Sequence, residues 1–550
     1  MLKYLQNKIK KIPIHIWILL VIIVVGIFLR TYHFHDWLRF SMDQSRDAFI
    51  ISDVLDGKTA IPLLGPLAGG TSFHLGPAYY YFSLLSAKIF GNYPDKMAYP
   101  SLIFSILAIP LLFLFLREYF SKHISLSITG VMSFSYFFIE ASRFSSNPNL
   151  APFFVLLFLL SIFKITNFKN RNYLWWSILV GLSLGIGVQL HTTLMVIMPI
   201  FTLVISAYIF KRSKMQYLQY FIIIILIAVT VNVTQIISEI NTRGENTRNF
   251  ILGTIDKGGN ENNLVKNAAL VIICQAKSNA NIILYAPVLD KCYDGVSIDV
   301  KNGSKELYGE IKNRTLRKVV YISTFVSIFI FYVLGYAILV INFLKEKDRN
   351  RKTFLLVAGL FNAIGLLVFI PVISSISVSY FNILFFIPFI FLGFLLQFFQ
   401  QKFRKNGKIL ALILAVIMAI VLLQTDIKKY YFYKKGLDNN INNSNLGWVE
   451  NVVDFLGENN LGSKIIYMSG EGKYLDRYFG SIDYMLYRQG LEVAEVDITK
   501  VKEKIPSGQK FVYIKNKTDG FSKSIRDYQV VAGEHFDSVD VYILKNSNLK

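Results

Sequence analysis

Charged residues are scarce in this chain of 550 residues, at 17%, whereas soluble domains carry roughly 25%. Hydrophobic residues make up 53% of the chain, and its mean hydropathy is +0.44. The shortage of charge excludes an ordinary soluble globular protein. It indicates a membrane protein.

The net charge of +22 does not predict a nucleic-acid partner, because the basic residues form short clusters between apolar runs. Such clusters mark the cytoplasmic ends of membrane spans and set the orientation of the chain. We therefore expect contact with membrane lipid and none with nucleic acid. The clusters are Lys8–Lys11, Arg117 and Lys122, Lys164–Arg171, Lys211–Lys214, Lys345–Lys352 and Lys402–Lys408.

Several reaction motifs are missing, namely H-E-x-x-H, the Walker A loop and C-x-x-C. A nucleotide-driven pump is therefore not indicated. The histidines do not approach metal-ligand spacing either. The two cysteines, Cys274 and Cys292, pair only if their segment faces an oxidising compartment, and both states stay open.

Apolar runs of about 20 residues can cross a bilayer. Eleven such runs place every strongly basic turn on the inside, with the N-terminus cytoplasmic and the first run uncleaved. They lie at about 12–30, 97–116, 124–141, 150–165, 173–190, 192–210, 217–237, 318–343, 353–373, 378–398 and 408–424. Two long outer loops, the first loop (31–96) and the second loop (238–317), interrupt this membrane module of residues 1–424. We expect little regular structure in the second loop.

The composition becomes that of a soluble domain from about residue 425. Two helices, 446–456 and 474–488, and five short strands are expected there. The predicted fold is thus an α-helical polytopic membrane protein with about 11 transmembrane helices. A small extracytoplasmic α/β domain (425–550) follows them.

The first loop opens on an acidic segment, Ser41-Met42-Asp43-Gln44-Ser45-Arg46-Asp47. Ser41 and Gln44 match a capping box, which predicts a helix start, and Gly57 is placed to end the helix. Asp43 and Asp47 then share one face with Arg46 beside them. Two interpretations stand: an interfacial helix that holds carboxylates at the water's edge, or an Asp43 that only favours the helix N-terminus.

Polar residues with reactive potential gather on the predicted outer face, and nothing comparable lies in the middle of a span. Coupled transporters usually keep ionisable residues near the bilayer midplane. The pattern favours an enzyme that acts on a lipid-carried substrate. The residues are Asp43, Gln44, Arg46, Asp47, His74, Arg143, Asn147, Asn149, Gln189, His191, Glu239 and Arg243.

The order of motifs resembles the GT-C superfamily of integral-membrane glycosyltransferases, in particular the protein O-mannosyltransferase and aminoarabinose lipid A transferase branch. The family's acidic motif at the start of the first outer loop matches Asp43-Gln44, and its H-P-P-L-Y-Y matches His74–Tyr80. Its late R-Y-x-x-x-x-x-P stretch matches Ser379–Pro388, with Ser379 in place of arginine. The second acid of the motif is Gln44 here, and an acid that some relatives carry later is Asn147 or Asn149. These departures weaken the case for metal dependence; a divalent cation stays possible and no metal ligand is assigned.

The resemblance implies transfer of a sugar from a polyprenyl-phosphate donor to an acceptor hydroxyl on a protein, lipid or glycan, with inversion. It implies Asp43 as general base and Arg46, His74, Arg143 and His191 as contacts of the donor phosphate. Gln44, Asp47, Asn147, Gln189 and Glu239 are expected in supporting roles. The expected location is the cell membrane, with the soluble domain outside.

Structural roles compete with several of these assignments. His74 also suits a satisfied turn, Asp47 an internal ion pair with Arg46 or Arg143, and Tyr79–Tyr81 an interfacial aromatic belt. Two other functions stay open for the whole chain. One is a flippase or transporter of a lipid-linked glycan, and the other is a non-catalytic assembly module in which residues 425–550 do the work.

Overall fold

Most of the described chain is helical. The computed structural model describes residues 13–166, 172–213, 215–258, 263–284, 292, 311–402, 413, 416, 427, 445–459, 464–471, 473–517, 520–526, 528–536 and 539–545. The helices before residue 403 are α1 Ile14–Thr31, α2 Met42–Leu55, α3 Ala78–Phe90, α4 Pro94–Met97, α5 Tyr99–Arg117, α6 Lys122–Ser133, α7 Tyr136–Ser142, α8 Ala151–Thr166, α9 Tyr173–Leu190, α10 Thr192–Ser213, α11 Met215–Val231, α12 Val233–Asn241, α13 Glu245–Gly258, α14 Leu264–Leu284, α15 Arg314–Lys345, α16 Arg349–Phe369 and α17 Phe386–Lys402. Short 3-10 turns lie at Asn147–Leu150, Ile370–Ser375 and Val378–Leu384.

Within the described ranges, seven helices are long and apolar enough to cross a membrane, or ten when each of three bent pairs is counted as one span. The bent pairs are α6 with α7 (55°), the end of α11 with α12 (61°), and Val378–Leu384 with α17 (61°). These ten segments coincide with the first ten predicted spans. The eleventh, 408–424, falls almost wholly outside the described residues.

The bend between α11 and α12 has a local cause at Asn232. The side-chain Nδ2 of Asn232 donates to the carbonyl of Ala228 over 2.8 Å and to that of Gly185 in α9 over 2.9 Å. A side chain that inserts among the helix carbonyls bends a helix, although the Asn232 N–H itself still reaches the Ala228 carbonyl over 3.2 Å. The bend therefore lies within this broken span and redirects its last part, α12.

Helix α2 begins where the capping box predicts. Gln44 Oε1 accepts from the backbone N–H of Ser41 over 3.3 Å and from its hydroxyl over 2.6 Å. The helix ends at Leu55, and Gly57 follows with a φ of +72°, a conformation that glycine adopts without strain. The predicted start and end of this helix are both confirmed.

The second loop is more regular than the sequence predicts, which corrects that expectation. It contains α13 and α14, and the buried side of α14 is polar, with Gln275, Ser278 and Asn279 shielded from solvent. Gln275 accepts hydrogen bonds from two tyrosines of α15 and donates to Asn362 of α16. Because this helix buries polar residues, its sequence lacks the apolar stripe that usually predicts a helix and resembles the sequence of a loop. The two cysteines are joined in a disulfide, with their Cα atoms 5.2 Å apart.

The soluble domain has the predicted elements. Its two main helices are α18 Leu446–Glu458 and α19 Lys473–Arg488, and α20 Val501–Lys504 is a single turn. Its five strands are β1 Ile465–Gly470, β2 Glu492–Glu495, β3 Lys510–Asn516, β4 Gln529–Phe536 and β5 Val539–Lys545. They form one sheet in the order β2-β1-β3-β5-β4. Strand β1 pairs in parallel with β2 and β3, and β5 pairs antiparallel with β3 and β4.

Helix α19 packs directly against α2. A Cβ atom on Gly480 would lie 2.8 Å from Ser45 Oγ, so the two helices touch at that glycine. The hydroxyls of Tyr484 and Ser52 are 2.8 Å apart, and Tyr487 donates to Asp53 over 2.6 Å. The soluble domain and the first loop also share one hydrophobic core. This contact fixes the position of α2 relative to α19.

Candidate active site

A cavity of about 1800 Å³ opens beside α2. Its walls come from the first loop, the ends of α1 and α7, the segment 146–149, helix α13 and the segment 379–383. Seven of the ten predicted site residues line it: Asp43, Gln44, Arg46, Asp47, Arg143, Asn147 and His191. The other three, His74, Gln189 and Glu239, do not.

The cavity combines a polar mouth with an apolar trough. The trough is lined by Phe28 and Leu29 at the end of α1, Ala108 of α5, and Phe137 and Phe138 of α7. These residues lie in or beside segments long enough to span a membrane. Such a cavity suits a ligand with a charged head and a hydrocarbon tail.

The two carboxylates of α2 have opposite environments, although they are four residues apart. The side chain of Asp43 is 68% exposed, and Arg46 Nη1 reaches its Oδ1 over 3.1 Å. Asp47 is buried and receives Arg46 Nη2 at 2.8 Å and Nε at 3.1 Å on one oxygen. Arg46 thus bridges both acids, and the predicted Asp47–Arg46 pair is present.

Burial raises the pKa of Asp47 to about 6, against the opposing effects of Arg46 and Tyr80. The Tyr80 hydroxyl donates to Asp47 Oδ1 over 2.9 Å. Asp47 is therefore ionised at neutral pH and fixes the position of Arg46. Tyr80 is a site residue that the sequence analysis missed, since its partner lies 33 positions earlier.

Tyr79–Tyr81 do not form an interfacial aromatic belt, which corrects that alternative. Tyr79 and Tyr80 are 2% exposed. The Tyr79 hydroxyl pairs with Ser145 Oγ at 2.9 Å, and Tyr81 donates to the Pro62 carbonyl over 2.9 Å. These hydrogen bonds tie α3 to the segments that contain Ser145 and Pro62.

Arg143 holds the end of α1 while it lines the cavity. Its guanidinium donates to the carbonyls of Leu29 (2.9 Å), Tyr32 (2.6 Å) and His33 (3.3 Å). A cation at a helix C-terminus is favourable because it meets the negative end of the dipole. Arg143 therefore supplies positive charge to the cavity from a fixed position.

A third arginine, Arg39, also lines the cavity, and no motif singled it out. Its guanidinium carbon lies 4.2 Å from the centre of the Phe144 ring, and its backbone N–H donates to the Arg143 carbonyl over 3.0 Å. A lone arginine after a span has no distinguishing sequence pattern. Only the fold brings it beside Arg143.

His191 follows the end of α9 and faces the late-span segment. Its Nδ1 lies 2.7 Å from Thr193 Oγ1, and its ring meets that of Tyr380 edge-on at 5.0 Å. Ser379, Tyr380 and Asn382 line the same cavity. The segment matched to the family's late motif thus reaches the cavity although its arginine is a serine.

Three amide side chains hold the walls of the cavity together through hydrogen bonds to backbone carbonyls. Gln44 Nε2 donates to the Ser145 carbonyl over 3.2 Å, which ties α2 to the segment after α7. Asn147 Nδ2 donates to the Leu190 carbonyl over 2.8 Å, and Asn149 Nδ2 to that of Phe144 over 2.7 Å. Since each nitrogen is engaged with a carbonyl, the amide oxygens of Asn147 and Asn149 remain as acceptors.

His74 and Gln189 are occupied outside the cavity lining, which corrects their predicted placement. His74 Nδ1 meets the Gly65 carbonyl at 2.9 Å, as its alternative role in a turn predicts. Gln189 is buried, accepts from the Ala78 N–H over 3.0 Å and donates to the carbonyls of Gly185 and Val231. Glu239 lines a separate small cavity beside α12 and α13.

The described residues contain one serine-hydrolase sequence pattern and no cluster of three metal-binding side chains. No three His, Cys, Asp or Glu side chains in that part of the chain can hold a metal ion together. Gly181–Gly185 matches the G-x-S-x-G pattern of serine hydrolases. Ser183, however, is buried inside α9 and donates to the Leu179 carbonyl over 2.6 Å, so it is not an exposed nucleophile.

A family model described as dolichyl-phosphate-mannose-protein mannosyltransferase matches residues 74–232. Over this segment the chain resembles those membrane enzymes. The match supports the resemblance drawn from the motifs; the segment contains Arg143, Asn147 and His191 but not Asp43. No curated protein matches the sequence.

The solved structures that match this chain include an ArnT and an archaeal oligosaccharyltransferase. ArnT from Cupriavidus metallidurans, bound to undecaprenyl phosphate, has 11% identity and a TM-score of 0.48, over 96% of this chain and 97% of that one. The Archaeoglobus fulgidus oligosaccharyltransferase, with Zn and sulfate, has 13% identity and a TM-score of 0.48, over 91% and 68%. The oligosaccharyltransferase AglB from Archaeoglobus fulgidus, in complex with an inhibitory peptide and a dolichol-phosphate, has 12% identity and a TM-score of 0.47, over 91% and 69%.

Proposed function

We propose that this membrane protein is a glycosyltransferase that moves a sugar from a polyprenyl-phosphate donor to an acceptor hydroxyl, on the extracytoplasmic side of the cell membrane. The observation that carries the proposal is the cavity of about 1800 Å³, which joins an exposed carboxylate, three arginines and an apolar trough. The family match over residues 74–232 supports the same class of reaction.

Asp43 is the general base in this proposal. Its side chain is 68% exposed at the cavity, whereas Asp47 is buried between Arg46 and Tyr80. A positioned base that takes the acceptor proton contributes typically 10²–10⁴-fold to the rate. Asp43 has both the exposure and the location that this role requires.

The arginines stabilise the departing lipid phosphate. Arg39, Arg46 and Arg143 line the same cavity, and the planar guanidinium matches phosphate oxygens. Charge that develops on a leaving group is stabilised best by donors already in place. The trough beside Phe28, Phe137 and Phe138 receives the isoprenoid.

Inversion is the expected stereochemistry. When the acceptor attacks the anomeric carbon directly, opposite the phosphate, one displacement inverts the centre. A retaining reaction through a covalent intermediate needs a second carboxylate as nucleophile. Asp47 is buried and paired, which disfavours that route.

Donor consumption in detergent micelles separates this function from transport. A glycosyltransferase consumes a polyprenyl-phosphate sugar in micelles when acceptor is present, and forms an inverted product detectable by NMR. A flippase needs two leaflets and leaves the donor intact in micelles. Intact donor with every acceptor class tested (peptide, lipid and glycan), with and without added divalent cation, would contradict the proposal.

A further inference from the structure

A second cavity of about 460 Å³ lies beside α12 and α13 and shares no lining residue with the large one. Phe73, Met195, Ile236, Ile240 and Phe250 make its walls apolar. Asn232, Gln235, Glu239, Asn246 and Thr247 also line it. Glu239 is its one carboxylate among the described residues.

Glu239 lines this cavity, and one of its carboxylate oxygens lacks a partner within the described structure. Its Oε2 is shielded from solvent and, within the described structure, has no hydrogen-bond partner. A shielded carboxylate oxygen is costly unless a donor or a cation meets it. A rotation about the terminal side-chain torsion of Glu239 brings this oxygen to the cavity, where a ligand with positive charge or hydrogen-bond donors meets it.

The neighbouring amides present acceptors as well. Asn232 uses its amide nitrogen on the carbonyls of Ala228 and Gly185, which leaves its oxygen as an acceptor. Asn246 is fully used, because it accepts from the His74 N–H over 2.7 Å and donates to the His74 carbonyl over 3.0 Å. A ligand with several N–H donors and no acceptor at its tip fits this lining.

A bare metal ion does not fit, because the lining offers a single carboxylate among apolar walls. Divalent cations in proteins are held by several oxygen, nitrogen or sulfur ligands together. A primary ammonium group needs only one carboxylate and one or two further acceptors. The chemistry of the cavity thus points to an organic ammonium.

The location of the cavity identifies the carrier of that ammonium. Helix α12 is the last part of the broken span that begins in α11, beyond the bend of 61°. Ile236 and Ile240 line the cavity yet are 39% and 72% exposed, as residues that face acyl chains are. Arg243 follows α12 in the turn before α13 and is exposed. A carboxylate in the lining, an arginine in the adjoining turn and an apolar surround match the ammonium, phosphate and tails of a zwitterionic phospholipid.

We propose that this cavity is a binding site for the primary ammonium headgroup of a membrane phospholipid, held by Glu239. The ammonium donates charge-assisted hydrogen bonds to the Glu239 carboxylate and the Asn232 oxygen, and the phosphate faces Arg243. A neighbouring face of α13 carries Asn249, Gly253 and Asp256 into the large cavity. The bound lipid therefore supports one wall of the candidate active site.

Lipid retention by the full-length protein tests this site. Purified protein is incubated in detergent with phosphatidylethanolamine, phosphatidylcholine or phosphatidylglycerol, and bound lipid is counted by native mass spectrometry. We expect preference for phosphatidylethanolamine, because the quaternary ammonium of phosphatidylcholine has no N–H and phosphatidylglycerol has no cation. Equal retention of all three lipids would overturn the proposal.

Glu239→Gln, which keeps the size of the side chain, is expected to lower phosphatidylethanolamine retention about tenfold, since it removes a charge-assisted pair. Glu245→Gln is the matched control, because Glu245 is exposed at the start of α13 and lines neither cavity. Unchanged retention in Glu239→Gln, or an equal loss in the control, contradicts the proposal.

Ethylammonium distinguishes the two sources of an ammonium group. If it displaces phosphatidylethanolamine from the wild-type protein, the ammonium alone is recognised, and free amines are also ligands. If it does not, while the preference and its dependence on Glu239 remain, the whole headgroup is required. Both results support the site.

Discussion

The two sides of helix α2 have different roles: one faces the large cavity and the other packs against the soluble domain. One side carries Asp43, Arg46 and Asp47 into the large cavity, where an arginine bridges an exposed and a buried carboxylate. The other side presents Ser45 and Ser52 to α19 of the soluble domain, where contacts are close and mostly uncharged. The same 14 residues thus hold the proposed reacting group and the surface that fixes it.

This difference separates two kinds of effect. A change on the cavity side is expected to alter turnover far more than stability, because it changes charge where the lipid phosphate and acceptor meet. A change on the domain side is expected to alter stability more than turnover. The following variants test that separation, in order of decreasing effect on turnover.

Arg46→Gln is expected to lower kcat/KM about 100-fold, because one donor aimed at developing charge is typically worth 10²–10³-fold. It also removes the partner of Asp47. Initial rates with the lipid-linked donor measure the effect. Lys58→Gln is the control, since Lys58 lies beyond the end of α2 and pairs with Asp53 and Asp56 outside the cavity. An equal loss in both variants would remove the distinction between the two sides.

Acidification is expected to reduce turnover below about pH 6. Burial raises the pKa of Asp47 to about 6, so the ionised form that holds Arg46 is present above that pH and is lost as the pH falls through it. The rate then falls up to about tenfold per pH unit. A pH–rate profile measures this fall, and Asp47→Asn is expected to abolish it. Persistence of the same fall in Asp47→Asn would assign it to another group.

Tyr80→Phe is expected to lower turnover about three- to tenfold and to move the fall in the pH profile to higher pH. The Tyr80 hydroxyl stabilises the ionised form of Asp47, so its loss raises the Asp47 pKa further. Tyr81→Phe is the matched control, since its hydroxyl bonds the Pro62 carbonyl. A profile that does not move in Tyr80→Phe contradicts the role given to Tyr80.

Tyr484→Phe is expected to change turnover less than about twofold and to destabilise the fold by about 1 kcal/mol, the net value of one hydrogen bond. Ser52 keeps Asn92 as a second partner at 3.0 Å, so no hydroxyl is left stranded. Thermal unfolding in detergent measures the loss. A fall in turnover as large as that of Tyr80→Phe would show that the two sides are not separate.

Local patterns predicted the parts of this fold that local forces determine. The capping box at Ser41 and Gln44 was sufficient for the start of α2, and long apolar runs were sufficient to locate seven apolar helices and three bent pairs within the described residues. The strands of the soluble domain followed from short β-rich segments between turn residues. In each case the residues that decide the structure are neighbours in the sequence.

The missed features depend on distant partners. Helix α14 buries Gln275 against Tyr332 and Tyr336, so its polar sequence resembles that of a loop. Tyr80 matters because Asp47 lies opposite it, and Arg39 because the fold brings it to the cavity. No spacing in the sequence encodes those contacts. They arise when separate segments close around one cavity.

The most direct measurement of the central claim is the turnover of Asp43→Asn beside that of Asp56→Asn. Asp56 directly follows the last residue of the same helix, pairs with Lys58 and lines neither cavity, so it is a matched change of charge. We expect Asp43→Asn to insert normally and bind the lipid donor, with kcat lowered by about 10²–10⁴-fold, the usual contribution of a general base. We expect Asp56→Asn to turn over like the wild-type protein. Full turnover in Asp43→Asn would contradict the account.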